Sequence, residues 1–348
     1  MKAREGRARE GRARGDGTRE ELAVPKAEFR SYYGRPVLKP PVWEWKIPAY
    51  LFTGGLAAGS ALLAAGADLT RRPALRRAGR LGSLGGLTAS MVLLVADLGR
   101  PERFHHMLRV AKPTSPMSIG TWILVAFSPG SALAAADELM PARWLPRTRW
   151  PGRLLRLAAR PAGLSAAAVA PGVASYTAAL LAQTAVPAWN EARWELPFVF
   201  TGSAAASGAA LGLLAAPVAE AAPARRLALI GAAGELAASA LVDRKPALPA
   251  RAYTTGRAHR MRRWSEGLTA GGAVLAVTLA RRSRPAAALA ALALLSGSAL
   301  QRFGVFEAGV ASTEDPKYVV VPQRERLDRR RAGDEEPDVR PGGPSRLG

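Results

Sequence analysis

A carboxylate stranded in a long apolar run is the first chemistry this sequence offers. Glu235 stands near the middle of the window 227–242 and is its single charge. Holding a charged side chain at the centre of a membrane-spanning helix costs on the order of 2.5–3.5 kcal/mol on insertion scales. A carboxylate kept there is either protonated or paired inside a bundle, and its uses are a proton relay, a ligand partner or a structural hydrogen bond between helices. Asp97 closes the window 81–96 and leads into LGRPERF, where Arg100 and Arg103 follow. It reads either as an interfacial carboxylate paired with one of those arginines or as a proton-accepting group beside a cavity at headgroup level. Tyr50 and Tyr176 place phenols inside apolar runs, where a hydroxyl seeks a carbonyl on a ligand or on a neighbouring helix. Trp43, Trp45, Trp122, Trp189 and Trp194 fall near the ends of such runs, the usual place of an aromatic belt.

Other chemistry is ruled out by composition. There is no cysteine, so no disulfide, thiolate cluster or cysteine nucleophile exists, and no iron–sulfur cluster can be held by this chain. The three histidines, His105, His106 and His259, lie in charged connecting segments, which leaves no pair inside the spans to ligate a haem. No P-loop, GxSxG elbow or HExxH motif is present, and no metal site is expected.

The elements that must position these residues follow from how charge is distributed. The 348 residues carry a net charge of +22, yet 49% are hydrophobic and the mean hydropathy is +0.01. In a soluble domain such a charge would suggest a nucleic-acid partner. Here arginines crowd the tails and short joints, while Ala, Leu, Gly and Val fill uncharged runs between them. About 20 apolar residues span the roughly 30 Å hydrocarbon layer. The pattern therefore predicts an all-α, polytopic membrane bundle of about eight transmembrane helices over 43–322, near 48–67, 80–97, 117–137, 162–186, 196–218, 226–243, 264–281 and 285–302. It points to membrane lipid and not to nucleic acid. Residues 1–42, which include a repeated REGRA, and 323–348 read as basic or charged tails without a core. No cleavable signal peptide is visible. Lys and Arg divide almost evenly between alternate connections, so the positive-inside rule selects no orientation. Small residues at Gly55, Gly59, Ser60, Gly202, Ser203, Ser207 and Gly208 suit close helix packing. The strings YLFTGGLAAGS at 50–60 and FVFTGSAAASG at 198–208 are alike enough to suggest two parallel four-helix units.

Six strings occur in order along the sequence: WEWKIPAYLFTGGLAAGS at 43–60, DLGRPERFHHML at 97–108, PTSPMSIGTW at 113–122, YTAALLAQTAVPAWN at 176–190, LPFVFTGSAAASGAA at 196–210 and QRFGVFEAGVASTEDPKY at 301–318. Together they resemble the NrfD/polysulfide reductase membrane-subunit family. The resemblance implies a quinone-reactive subunit in the bacterial cytoplasmic membrane, not catalytic on the terminal substrate by itself. It would bind a menaquinone- or ubiquinone-type quinone and exchange electrons with a four-cluster ferredoxin-like iron–sulfur subunit. That subunit would serve a molybdopterin-type catalytic subunit, and proton transfer is coupled in some relatives. On the same footing Tyr50 is expected to hydrogen-bond a quinone carbonyl, with Trp122 and Tyr176 bordering the pocket. Asp97, with Arg100 and Arg103, would handle protons or orient a docking loop, and Glu235 would serve a proton path. Some relatives carry a histidine in the first span where this sequence offers Tyr50. The competing readings are a passive membrane anchor for soluble subunits, and a secondary transporter or proton channel. The latter would be favoured by broken helices at matched places in the two halves; Pro129-Gly130 and Pro171-Gly172 are candidates but do not occupy matching spans.

Overall fold

The apolar runs fold as helices, and proline opens most of them. The structure is a computed structural model that describes residues 36–140 and 149–332. Its helices are α1 (Lys46–Leu69), α2 (Pro73–Ala96), α3 (Pro116–Leu139), α4 (Trp150–Ala182), the short α5 (Pro187–Glu191), α6 (Leu196–Ala215), α7 (Ala222–Asp243), α8 (Gly256–Val277), α9 (Arg284–Glu314) and α10 (Lys317–Ala332). Among the described residues there is no strand. A proline occupies the first or second position of α2 to α7 and of α9. Its missing N–H is one the first turn would leave unpaired anyway, and its fixed φ suits the helix. Ser115 and Ser283 cap α3 and α9 by accepting from the N–H of Ser118 and Ala286.

Six of these helices (α1, α2, α3, α4, α6 and α9) are long and apolar enough to cross a membrane. The other two of the expected eight, α7 and α8, are 22 residues each. Arg225, Arg226, Glu235 and Asp243 lower the apolar content of α7, and the arginines of RAHRMRR do so in α8. Both nevertheless pack within the bundle, and the pattern repeats. In the first unit α1 packs on α2 and on α4, and α3 on α4. In the second α6 packs on α7 and on α9, and α8 on α9.

The two units meet where α1 lies against α6. Gly55 faces Ala204, Gly59 faces Ala204 and Gly208, and Leu63 faces Gly212, an in-step register that shows the two helices running in the same direction. The backbones touch. A Cβ on Gly59 would stand 1.8 Å from the Ala204 carbonyl oxygen, and one on Gly208 would stand 2.1 Å from the carbonyl carbon of Gly59. Only glycine permits this approach, and in lipid close packing of small residues is what holds helices together.

Several boundaries depart from the sequence reading. Helix α4 starts at Trp150, well before 162, and carries Pro161 and Pro171 within a continuous helix. Helix α3 likewise continues through Pro129, so the broken helices that would favour a transporter are not formed. Helix α8 begins at Gly256 because Arg262 turns inward, and α9 runs on to Glu314, well past 302. Helix α10 continues to Ala332, beyond the point where a structureless tail was expected. The rest of the two predicted tails, 1–35 and 333–348, lies outside the described residues.

Asp68 and Asp137, near the ends of α1 and α3, belong to an ion-pair network at the end of the first unit opposite Asp97. Arg76 contacts Asp68 at 3.5 Å and Glu138 at 2.9 Å, Arg80 contacts Asp137 at 3.4 Å and Glu138 at 3.2 Å, and Arg160 contacts Asp68 at 2.9 Å. Four helices are tied together there by complementary charge.

The α1–α6 contact generates a clear expectation. Gly208→Ala should lower the thermal midpoint of the detergent-solubilised protein by the equivalent of about 1–3 kcal/mol, the usual cost of overpacking. Gly85→Ala, where an added Cβ meets nothing within 4 Å, should leave the midpoint unchanged. Equal midpoints for the two variants would show that the close approach does not hold the units together.

Candidate functional site

On α1, Ile47, Tyr50 and Leu51 share one face by the i, i+3, i+4 rule, and all three are buried. Tyr176 projects from α4, and the hydroxyls of Tyr50 and Tyr176 are hydrogen-bonded to each other. The tyrosine ring of α4 fits because α3 has no side chain in its way: a Cβ on Gly120 would stand 2.4 Å from the Tyr176 ring. Around this pair lies a cavity of about 240 Å³. Leu94, Leu98, Met107, Met117, Leu124 and Leu181 supply apolar walls, while Trp43, Thr121 and Asp97 stand at its margin. Its residues come from the start of α1, the end of α2, the start of α3 and the end of α4, so it opens at one end of the first unit. An apolar slot with a few convergent polar groups is the usual form of a small-molecule site.

Trp43 is held in place from behind. Its ring stacks on Trp189 at 5.9 Å and 22°, and Trp189 packs on Phe306 at 5.8 Å. Trp189 has no exposed surface, its indole N–H donates to the Val305 carbonyl at 2.8 Å, and a Cβ on Gly309 would fall 1.9 Å from its ring. Read from sequence as belt residues, Trp43 and Trp189 are parts of the interior instead. Trp45 and Trp194, 60% and 70% exposed, do face outward.

Asp97 ends α2 beside the cavity, half-buried, and forms no ion pair with Arg100 or Arg103; its charged neighbours are Lys46 and Glu44. Burial raises its pKa above the ordinary carboxylate value of 3.8; Lys46 opposes the shift and Glu44 adds to it. Arg100 and Arg103 are exposed, around a 3-10 turn that spans Pro101–Leu108. The structure therefore brings Tyr50, Tyr176 and Asp97 together and leaves the two arginines outside.

Trp122 does not border this cavity. It follows Gly120 by two residues, about 200° around the helix, and so faces away from Tyr176. It is 40% exposed, with its indole N–H reaching the Val110 carbonyl at 3.5 Å.

Glu235 forms a second centre in the other unit. It is 1% exposed, and neither carboxylate oxygen has a hydrogen-bond partner. Its polar neighbours are Arg302, Ser203 and Ser265. Arg302 is equally buried within α9. It donates to the Phe200 carbonyl at 2.7 Å and lies 3.7 Å over the Phe200 ring. Gly55 of α1 leaves room for its tip, since a Cβ there would stand 2.9 Å from Nη2. Oxygens of Ser203, Thr269 and Gln301 are also buried without partners. From this cluster polar groups continue toward the end of α7. Gln301 donates to Ser239 Oγ at 3.0 Å, Arg262 reaches the Ser239 carbonyl at 3.5 Å, and Arg262 pairs with Asp243, whose side chain is 33% exposed. Arg302 and Arg262 escaped the sequence reading because a charge was taken to mark the end of a span.

The family model described as "Polysulphide reductase, NrfD" matches residues 37–233 of this protein. The polysulfide reductase C subunit of Wolinella succinogenes is 33% identical over 94 residues, a stretch amounting to 25% of this protein and 30% of that one. The match thus spans less than a third of the length of that curated relative. Every residue lining the cavity, from Val42 to Leu181, falls inside the region matched by the family.

The raised Asp97 pKa fixes the sign of a pH effect. The folded protein keeps that proton at pH values where the unfolded chain has lost it, so stability is greatest below the ordinary carboxylate value. It should fall as pH rises from about 4 through the native pKa. Thermal unfolding of wild type and Asp97→Asn between about pH 4 and 6 should show this slope only in the wild type; parallel curves would mean that Asp97 is not held in this way.

Proposed function

The chain belongs to the NrfD polysulphide reductase family and is a multi-pass membrane protein, and from that premise we propose that its cavity binds a quinone of the menaquinone or ubiquinone type. The observation that carries this reading is the Tyr50–Tyr176 pair at the centre of an apolar cavity within the matched region. A quinone headgroup is flat and apolar apart from two carbonyls. Leu94, Met117 and Leu124 suit its faces, and a tyrosine hydroxyl released from its neighbour can donate to a carbonyl. Gly99 and Met107 lie at the end where a headgroup would enter.

Reducing a quinone takes two electrons and two protons. The residues of this protein supply binding, orientation and proton handling. Asp97, raised above the ordinary carboxylate range, is suited to pass protons at the rim, because a proton carrier works best when its pKa approaches the ambient pH. The electrons would be exchanged with a docked iron–sulfur subunit of the four-cluster ferredoxin type, which serves a molybdopterin-type catalytic subunit in the bacterial cytoplasmic membrane. The Wolinella relative, by its name one part of a larger reductase, supports such an assembly.

Glu235 and Arg302 would serve proton movement in the second unit. Buried polar groups normally find partners, and here a carboxylate, a guanidinium and three uncharged side chains keep unpaired atoms together. The file through Gln301, Ser239, Arg262 and Asp243 gives that cluster a polar connection to the protein surface.

Fluorescence quenching of the detergent-purified protein by a quinol analogue tests the reading, with Trp43 the tryptophan at the margin of the cavity. Saturable quenching is expected. Tyr50→Phe should weaken it about tenfold, as loss of one hydrogen bond of about 1–1.5 kcal/mol implies. Folded protein without saturable quenching would point to a passive anchor. Glu235→Gln should leave binding and assembly intact while lowering quinol turnover in the assembled complex; wild-type turnover would remove Glu235 from the mechanism.

A further inference from the structure

Arginines at one end of the bundle are held in two ways. In the first, Asp68, Asp137 and Glu138 neutralise Arg76, Arg80 and Arg160. Because α1 and α6 run in step, the C-terminal end of α6 and the α6–α7 connection lie at that same end. There the backbone carbonyls of 213–219 gather guanidiniums without any carboxylate. Arg284 donates to the carbonyls of Leu213 at 3.0 Å and Ala216 at 2.6 Å, Arg225 to Val218 at 3.1 Å, and Arg72 to Ala219 at 3.1 Å. Arg72, Arg226 and Arg281 are close enough to Arg225 for their charges to repel it.

Glu220, the acid of this connection, forms no ion pair with them. Glu220 is spent on the first turn of α2, where it accepts from the N–H groups of Ala74 at 2.9 Å and Leu75 at 3.3 Å. Among the described residues none of Arg72, Arg225, Arg226, Arg281 and Arg284 forms a salt bridge, and Arg72 Nε is buried without a hydrogen-bond partner. Like charges at this spacing, within a Debye length of one another, repel. Guanidiniums present planar forks that match phosphate oxygens.

The apolar surroundings narrow the anion. Exposed leucines lie within a turn of several of these arginines: Leu69 before Arg72, Leu229 after Arg226, and Leu279 before Arg281, at 63%, 47% and 64% exposure. A phosphate carrying acyl chains fits both features, whereas a free phosphate uses only the first. We propose that this cluster is a binding site for an anionic phospholipid, its headgroup phosphate held by Arg72, Arg225, Arg226, Arg281 and Arg284 and its acyl tails laid along the exposed leucines. The site is independent of the quinone cavity, which lies at the opposite end of the first unit. Basic pockets at helix ends are where such headgroups are held in other membrane proteins.

Thermal unfolding of the full-length protein in neutral detergent, with added phosphatidylglycerol, cardiolipin, phosphatidylcholine or inorganic phosphate, tests the site. Anionic lipid should raise the unfolding midpoint saturably, while phosphatidylcholine and inorganic phosphate should not. A double variant, Arg226→Gln with Arg281→Gln, removes two guanidiniums that donate no hydrogen bond within the described residues, so the fold should survive. It should weaken the lipid effect at least tenfold. Arg109→Gln with Arg260→Gln, exposed arginines at the opposite end of the bundle, should leave it unchanged. Equal stabilisation of both double variants would overturn the assignment, and so would inorganic phosphate reproducing the effect.

Discussion

The contact of Gly59 with Ala204 and Gly208 is the constraint on which the rest of the bundle depends. Two helices that run in the same direction come close enough for backbone to touch backbone. Each then carries its own neighbours, α2 and α4 on one side and α7 and α9 on the other. In lipid there is no hydrophobic gain from burying leucine against leucine, so such close contacts must be supplied by small residues. Widening this crossing by one methyl would move Gly55 away from Ala204 and from the tip of Arg302, which lies beside it. The central crossing thus sets the geometry of the charged cluster in the second unit, and α1 carries the same geometry to Tyr50 in the first.

How much of this was legible in the sequence follows from the kind of signal each residue left. Helical class, the apolar spans and the likeness of 50–60 to 198–208 rest on long-range composition and were readable. The likeness corresponds to real packing, since those two strings are the ones that touch. Tyr50, Tyr176 and Asp97 were singled out as polar groups in or beside apolar runs, and they do converge. Trp122 did not, because its direction depends on helix phase: Gly120 faces α4 and Trp122 the opposite side. Arg302 and Arg262 were missed for a different reason. A charge inside a helix is indistinguishable in sequence from a charge at its end until the partner is known, and their partners, Glu235 and Asp243, lie on another helix. Trp43 and Trp189 were missed because burial of an aromatic at a span end requires a glycine opposite, and Gly309 is distant from both in sequence.

The repeated packing also shows where the two units have diverged. Aligning the similar strings sets Phe198 where Tyr50 stands, and Phe198 is 70% exposed rather than buried. The second unit therefore lacks the phenol and the enclosure found in the first. The converse holds one helix later. Gly86 of α2 lies against Thr53 and Ala57, as Gly231 of α7 lies against Gly202 and Ala206. One turn beyond each glycine comes Ser90 in the first unit and Glu235 in the second. Where one unit keeps an uncharged hydroxyl, the other keeps a carboxylate. The same helical frame thus holds a cavity with tyrosines in one half and a charged cluster in the other.

That charged cluster is stable only as a set. A guanidinium removed from water is costly, and the cost is recovered only if opposite charge and hydrogen-bond acceptors surround it. Arg302 has the Phe200 carbonyl, the Phe200 ring face and Glu235. Truncating Glu235 would leave Arg302 with a carbonyl and a ring to answer it, whereas glutamine at the same place keeps an amide oxygen facing the guanidinium and so preserves the packing. A single, fixed hydrogen-bond network would be expected to close every one of these valences. Here Glu235 has Ser203 and Ser265 beside it and faces Arg302 without forming a direct ion pair. An arrangement that keeps opposite charges near each other without locking them into direct contact leaves both free to change partners. A direct ion pair, such as that between Arg76 and Glu138 at 2.9 Å, is held more tightly.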